Sequence, residues 1–174
     1  MITPAPNCSK VVALHGVESV GKSTLAASLA ERLGCEWVPE YGRLYCEVNG
    51  TDLSASDLER IAAEQQAQIA AAQTRSDAAV ITDTDWLMTE AWSEMLFDEP
   101  LRGLSYRIAD LYLHLPPDLA FVQDSVRMFG EDGDRQRFDQ ICRKVLAKAD
   151  ANWIELDAPI DKRFDQALKA IAEL

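Results

Sequence analysis

The sequence shows no apolar run of membrane-span length, no paired-cysteine motif and little positive charge, and each scarcity argues against a class of function. No uninterrupted apolar run approaches the roughly eighteen residues of a membrane span, and the opening MITPAPNCSK lacks the apolar centre of a secretory signal. A cytoplasmic protein without a membrane partner is expected. The four cysteines, Cys8, Cys35, Cys46 and Cys142, form no CxxC and no paired histidine spacing, so neither a zinc site nor a disulfide framework is suggested. Reduced, mostly buried thiols are expected instead. The only two histidines, His15 and His114, each close an apolar run without a nucleophile or second histidine nearby in sequence, and read as strand-end packing residues. Positive charge is scarce: 17 Lys and Arg face 29 Asp and Glu, for a formal net charge of −12. Such a field repels nucleic acid, and even a small anionic ligand needs a local basic patch to offset it.

What is present suits one compact domain. The 174 residues, 48% of them hydrophobic, suffice for a single core, and no repeat, low-complexity tract or linker divides residues 1–174. Short apolar runs at Val11 to Leu14, Glu36 to Val38, Ala78 to Ile81, Leu111 to Leu115 and Trp153 to Leu156 read as five strands. Helical stretches separate them: Lys22 to Leu33 ended by Gly34, Ser54 to Arg75 opened by a Ser54–Asp57 capping box, Asp85 to Phe97, Asp134 to Ala149, and Ile160 to Leu174. This alternation predicts an α/β fold with a mainly parallel five-stranded sheet flanked by helices.

The strongest chemical signal is Gly16-Val17-Glu18-Ser19-Val20-Gly21-Lys22-Ser23-Thr24, which meets GxxxxGK[ST] at every fixed position, after a strand and before a helix. The spacing has a physical reason. A strand-to-helix turn leaves several backbone N–H groups without intrachain partners, all pointing into one concave nest that a phosphate fills. Gly16 and Gly21 allow torsions and close approach that a Cβ forbids, and the helix N-terminus adds positive potential. Residues Gly16 and Glu18 to Thr24 are therefore the expected ATP cradle, Lys22 reaching the β- and γ-phosphates and Ser23 offering a hydroxyl to Mg²⁺. The fold expected is accordingly the three-layer P-loop NTPase fold.

Residues beyond the loop narrow the class. No Asn-Lys pair supplies the NKxD element of guanine-specific GTPases, and a chain of this length has little room for the second helical domain of the large ring-forming ATPases. Thr82-Asp83-Thr84-Asp85 follows the third strand, where Asp83 is expected to support the metal; Asp85 either faces substrate or caps the next helix. Glu40-Tyr41-Gly42-Arg43 follows the second strand at the ligand-collecting end of the sheet. There Glu40 can take a proton from a hydroxyl, Arg43 can hold a polar or anionic group, and Gly42 loosens a turn; a local Glu40–Arg43 ion pair is the alternative. Arg127, Arg135 and Arg137 follow the fourth strand and suggest a lid over residues 124–140 whose arginines stabilise a transferring phosphoryl group. Six basic against five acidic residues between Asp124 and Lys148 mark that segment as the offsetting basic patch.

GVESVGKSTL, EYGR, TDTD and DSVR followed by DRQRF, in that order, make the chain resemble the ribosylnicotinamide kinase domain of NadR-type NAD biosynthesis and salvage proteins over nearly its whole length. The resemblance implies transfer of the γ-phosphate of ATP to the ribose 5′-hydroxyl of nicotinamide riboside, a small-molecule nucleoside. It implies Lys22, Arg127 and Arg135 on the phosphates, Ser23 and Asp83 on Mg²⁺, and Glu40, Tyr41, Arg43, Asp85 and Trp86 around the nucleoside. Trp86 is expected to stack on the cationic ring. Glu40 or Asp83 is the base, with Glu40 on the hydroxyl and Asp83 on the metal as the preferred division. Bifunctional members carry an adenylyltransferase domain before the kinase, for which the expected layout leaves no room, and Arg137 and Gly133 alter the lid. Two other functions remain open: an ATP-binding regulatory switch with a protein partner, and a kinase for another small alcohol or nucleoside.

Overall fold

The computed structural model describes residues 9–174; Cys8 lies outside them. Five parallel strands form one sheet in the order β2-β3-β1-β4-β5, with β1 Lys10–His15, β2 Glu36–Val38, β3 Ala79–Asp83, β4 Leu111–His114 and β5 Trp153–Glu155. The helices are α1 Lys22–Leu33, α2 Tyr41–Asn49, α3 Ala55–Arg75, α4 Trp86–Phe97, α5 Asp132–Lys148 and α6 Arg163–Ala172, the last preceded by a 3₁₀ turn at Ile160–Lys162. The chain runs from β1 out to β2 and back towards β5, and crossovers of the usual right-handed sense divide the helices between the two faces. Accordingly α1 packs on α6, while α3, α4 and α5 pack in succession on one another. The fold is the three-layer α/β arrangement of a P-loop NTPase.

The central strands are largely apolar along their middles because both their faces are covered. Val12, Ala13 and Leu14 of β1 and Tyr112 and Leu113 of β4 are completely buried. His15 and His114 end these two strands, also completely buried, with ring nitrogens 3.5 Å apart and His114 Nε2 2.9 Å from Asp139. Both are packing residues. Burial, with His114 and Lys22 adding, holds the His15 imidazole well below its ordinary range, so it is neutral. Cys142 is buried and Cys35 and Cys46 half-buried, all three free. Among the described residues no helix is long and apolar enough to cross a membrane.

Local rules set most boundaries. Gly34 ends α1 in a left-handed conformation (φ 63°), and Ser54 and Asp57 exchange the two bonds of a capping box at the start of α3. Four expectations need correction. Pro39 to Arg43 is not an open turn: α2 starts at Tyr41, and Gly42 sits inside it without a positive φ. Strand β3 runs on to Asp83, so this carboxylate belongs to the strand's last residue. Helix α5 begins at Asp132, two residues earlier than expected, so that Gly133 joins Arg135 and Arg137 on the helix and the irregular part of the proposed lid stops before it. The C-terminal helix is shorter than read, ending at Ala172.

Candidate active site

The β1–α1 turn is built by its backbone. Gly16 has φ 132°, and a Cβ there would stand 2.5 Å from the Leu115 carbonyl oxygen; Gly21, with φ 88°, caps α1. Only glycine meets both demands at residue 16. Ser19 also adopts a left-handed φ of 62°. Val20 is buried, so its contribution to a ligand is its N–H, whereas Ser23 and Thr24 are exposed at the loop's mouth. Lys22 Nζ donates to the carbonyls of Gly16 (2.9 Å) and Val17 (2.7 Å), spanning the nest from within.

A cavity runs from this loop to the tips of β2 and β3, and its wall includes Gly16, residues 18–24, Glu40, Arg43 and Arg127. Glu40 caps α2 by position, yet its carboxylate makes no capping bond and faces the cavity. Burial, with the neighbouring Asp83 charge adding, pushes the Glu40 carboxyl up to about 7. Asp83 is buried behind the wall, between Thr82 and cavity-lining Thr84 in sequence, and its Oδ1 has no hydrogen-bond partner. An orphaned, buried carboxylate oxygen suits a cation ligand. Among the described residues no three His, Cys, Asp or Glu side chains could hold a metal by themselves. Asp83 and Ser23 could supply the one or two protein oxygens that a Mg²⁺ ion ordinarily takes, phosphate and water filling its other positions.

Segment 116–131 folds down onto the loop. Glu18 accepts the N–H groups of Met128 (3.2 Å) and Phe129 (3.4 Å), and the Ser19 hydroxyl accepts from Val122 N–H (3.2 Å). Burial raises the Glu18 carboxyl above its usual range. Arg127 lines the cavity, paired with Asp124 (3.3 Å) and donating to the Val122 carbonyl. Asp124 also receives Arg43 at 2.8 Å; the Val126 N–H, with Arg43 and Arg127, holds its carboxyl down at about 2.

Several expected roles change with this geometry. Arg43 pairs with Asp124 and Glu47 (3.1 Å), not with Glu40, and so ties α2 to the segment over the loop. Asp85 is the cap of α4: it accepts the Leu87 N–H (3.0 Å) and the Tyr112 hydroxyl, is 2% exposed, and is pushed up by burial to about 6. It does not reach the cavity wall, and neither do Tyr41, Asp83, Trp86 or Arg135. Trp86 instead packs edge-on against Tyr106. Arg135 is buried behind the loop, donating to the carbonyls of Leu119 (2.8 Å) and Glu18 (3.4 Å), while Arg137 points away to Asp98 (2.7 Å). The basic patch is smaller than the charge count implied. Arg143 pairs with Asp139 and Glu155, Lys144 with Glu94 and Lys148 with Glu90, which leaves Arg127 as that segment's cavity-lining cation.

The wall also contains residues the sequence reading passed over. Met88, Thr89 and Trp92 share the cavity-facing side of α4, and Trp92 is backed by Phe129 and Phe138. The i, i+4 spacing from Met88 to Trp92, counted from a helix capped at Asp85, was the available signal. Taken together, the parallel sheet and the glycine-bracketed loop with its lysine define a phosphate-loop nucleotide-binding protein. The chain belongs to the AAA domain family, whose match covers residues 11–163.

Relatives agree with that placement. The chain is 27% identical to the trifunctional NAD biosynthesis/regulator protein NadR of Salmonella typhimurium over 95% of its own length and 42% of that protein. It thus spans less than half the length of this curated relative. Among solved structures it is similar to a NadR protein in complex with NR (TM-score 0.77, 26% identity, 95% of this chain and 51% of the other). A deoxyadenosine kinase from M. mycoides shares the fold (TM-score 0.70, 12% identity, 94% of this chain and all of the other).

Proposed function

We propose that this protein is an ATP- and Mg²⁺-dependent kinase that phosphorylates the 5′-hydroxyl of a nucleoside, nicotinamide riboside being the preferred acceptor. The observation that carries the reading is one cavity whose wall holds both the phosphate loop with Lys22 and the Glu40 side chain. The similarity to NadR proteins, one of them in complex with NR, supports the acceptor. We read residues 1–174 as one kinase domain, with residues 124–140 as its lid, acting in the cytoplasm.

In this mechanism the loop N–H groups and Lys22 bind the β- and γ-phosphates, and Ser23 and Asp83 hold Mg²⁺, which supplies charge neutralisation to the phosphates when bound. The acceptor's 5′-oxygen attacks the γ-phosphorus while the bond to the β-phosphate oxygen breaks. The hydroxyl proton passes to Glu40, and ADP leaves. Phosphoryl transfer asks for positioning and charge stabilisation more than covalent help, which Lys22 and Arg127 provide. Arg135 acts from behind, by fixing the Glu18 and Leu119 carbonyls, and Arg43 by tying α2 to Asp124. Trp92, on the cavity wall, takes the stacking role first given to Trp86; Trp86, Tyr41 and Asp85 stand off the wall, and Glu40, Met88 and Thr89 make the acceptor's other contacts.

ADP release measured against a panel of nucleosides tests the reading. Strong stimulation by nicotinamide riboside is expected; ATP hydrolysis indifferent to every nucleoside would overturn it in favour of a regulatory ATPase. The two outer arginines separate cleanly. Arg127→Ala should lower kcat about 100-fold, whereas Arg137→Ala, removing an exposed pair with Asp98, should stay within about twofold of wild type.

A further inference from the structure

Leu58, Ile61 and Gln65 fall on one face of α3 and line the same cavity, so an amide occupies the third place of an otherwise apolar stripe. Gln65 is 1% exposed. A buried amide is unfavourable unless its hydrogen bonds are made, and this one makes them on both sides. Its Oε1 accepts the Tyr41 N–H at 2.7 Å. Its Nε2 lies 3.1 Å from Thr82 Oγ1, 3.3 Å from the Pro39 carbonyl and 3.5 Å from the Thr84 carbonyl.

These partners bracket the two carboxylates of the site. Pro39 and Tyr41 flank Glu40; Thr82 and Thr84 flank Asp83. The β2–β3 ladder ends at the Val38–Thr82 pair, so beyond it no strand-to-strand bond sets the distance between the two tips. Gln65 spans that gap. It also satisfies the first N–H of α2, which lies out of reach of an N-terminal cap's own side chain, while the Glu40 carboxylate makes no capping bond and lines the cavity. On the other side, Thr84 has a left-handed φ of 75°, a strained backbone for a β-branched residue, and its carbonyl takes the Thr82 hydroxyl at 2.6 Å as well as facing Gln65.

We infer that Gln65 is a positioning residue for phosphoryl transfer, fixing the proton acceptor Glu40 and the metal-side Asp83 relative to each other by bridging the tips of β2 and β3. The inference rests on the kinase reading above. Only an amide of this length serves: glutamate accepts but does not donate to Pro39 and Thr84, methionine fills the volume and does neither, and asparagine is one methylene short.

The test is steady-state kinetics of wild type, Gln65→Met and Gln65→Glu with ATP and nicotinamide riboside, alongside thermal melts. Gln65→Met should lower kcat about 100-fold, as expected for a small misplacement of reacting groups, while KM for ATP stays within about twofold because the phosphate loop is untouched. Gln65→Glu, which keeps the Tyr41 bond, should recover part of that loss. A Gln65→Met kcat within about threefold of wild type, whatever its melting temperature, overturns the inference, as does an equal rise in KM for ATP. Should Gln65→Met fail to fold, Thr82→Val carries the same test: a roughly 10-fold fall in kcat at unchanged KM for ATP supports the bridge, and unchanged kcat overturns it. Wild type that turns over no nucleoside overturns the kinase reading itself, and this inference with it, a result distinct from an active wild type with an indifferent variant.

Discussion

Lys22→Ala is expected to lower turnover by about 1,000-fold or more and to weaken ATP binding by about 10-fold, with the fold intact. The side chain is 9% exposed, and its ammonium donates to two loop carbonyls, Gly16 and Val17, at the floor of the phosphate cradle. Gly16 lines the cavity, so water can replace the lost donor on its carbonyl in the variant, and the backbone torsions that shape the loop belong to Gly16 and Gly21, not to the lysine. Binding falls less than catalysis because the N–H groups of the nest still hold the ground-state phosphates. The ammonium matters most where negative charge moves onto the leaving oxygen, and that stabilisation is realised only in the transition state. Single-turnover kinetics and titration with a non-hydrolysable ATP analogue separate the two effects. Full turnover in Lys22→Ala would remove the loop from the mechanism altogether.

The phosphate loop was legible because its chemistry is local: two glycines at positions that need positive φ, a lysine at the first position of the helix, and an apolar strand ahead of it. The same holds for Ser54 and Asp57, whose capping box lies within four residues. Helix α2 was not legible. None of its residues is fully buried, it contains Gly42, and its first N–H is satisfied by Gln65, twenty-four positions away, while the Tyr45 hydroxyl leans on Asp57 of the next helix. Tertiary contacts, not propensity, hold it. The arginines after β4 show the same limit. Sequence placed three of them together, but their partners, Val122 and Asp124 for Arg127, Leu119 and Glu18 for Arg135, and Asp98 for Arg137, decide which one faces the cavity. Trp86 and Trp92 differ likewise: once Asp85 caps α4, helical geometry sends Trp92 to the wall and Trp86 towards Tyr106.

Glu40→Gln is expected to separate the catalytic and structural consequences of one carboxylate. As the proton acceptor, Glu40 should be worth about 1,000-fold in kcat, and the amide, which cannot take the proton, should lose that factor at every pH. In wild type the activity should rise with pH and level off above about 7, where burial and the Asp83 charge have pushed this carboxyl. Stability runs the other way. The ordinary value is 4.5, so the folded protein binds this proton more tightly than the unfolded chain does. The carboxyl therefore costs nothing below about 4.5 and progressively destabilises the protein as pH rises towards 7, after which the cost is constant. Discounted for the part of the side chain that water reaches, that cost is about 1–3 kcal/mol. Glu40→Gln removes it, so the variant should melt with wild type near pH 4 and several degrees above it at pH 8, while remaining inactive. Melting curves at the two pH values and pH–rate profiles on both proteins check both halves. Retained turnover with a preserved acid limb would transfer the base to Asp83, and equal melting temperatures at pH 8 would show that the Glu40 carboxylate is not destabilised where it stands.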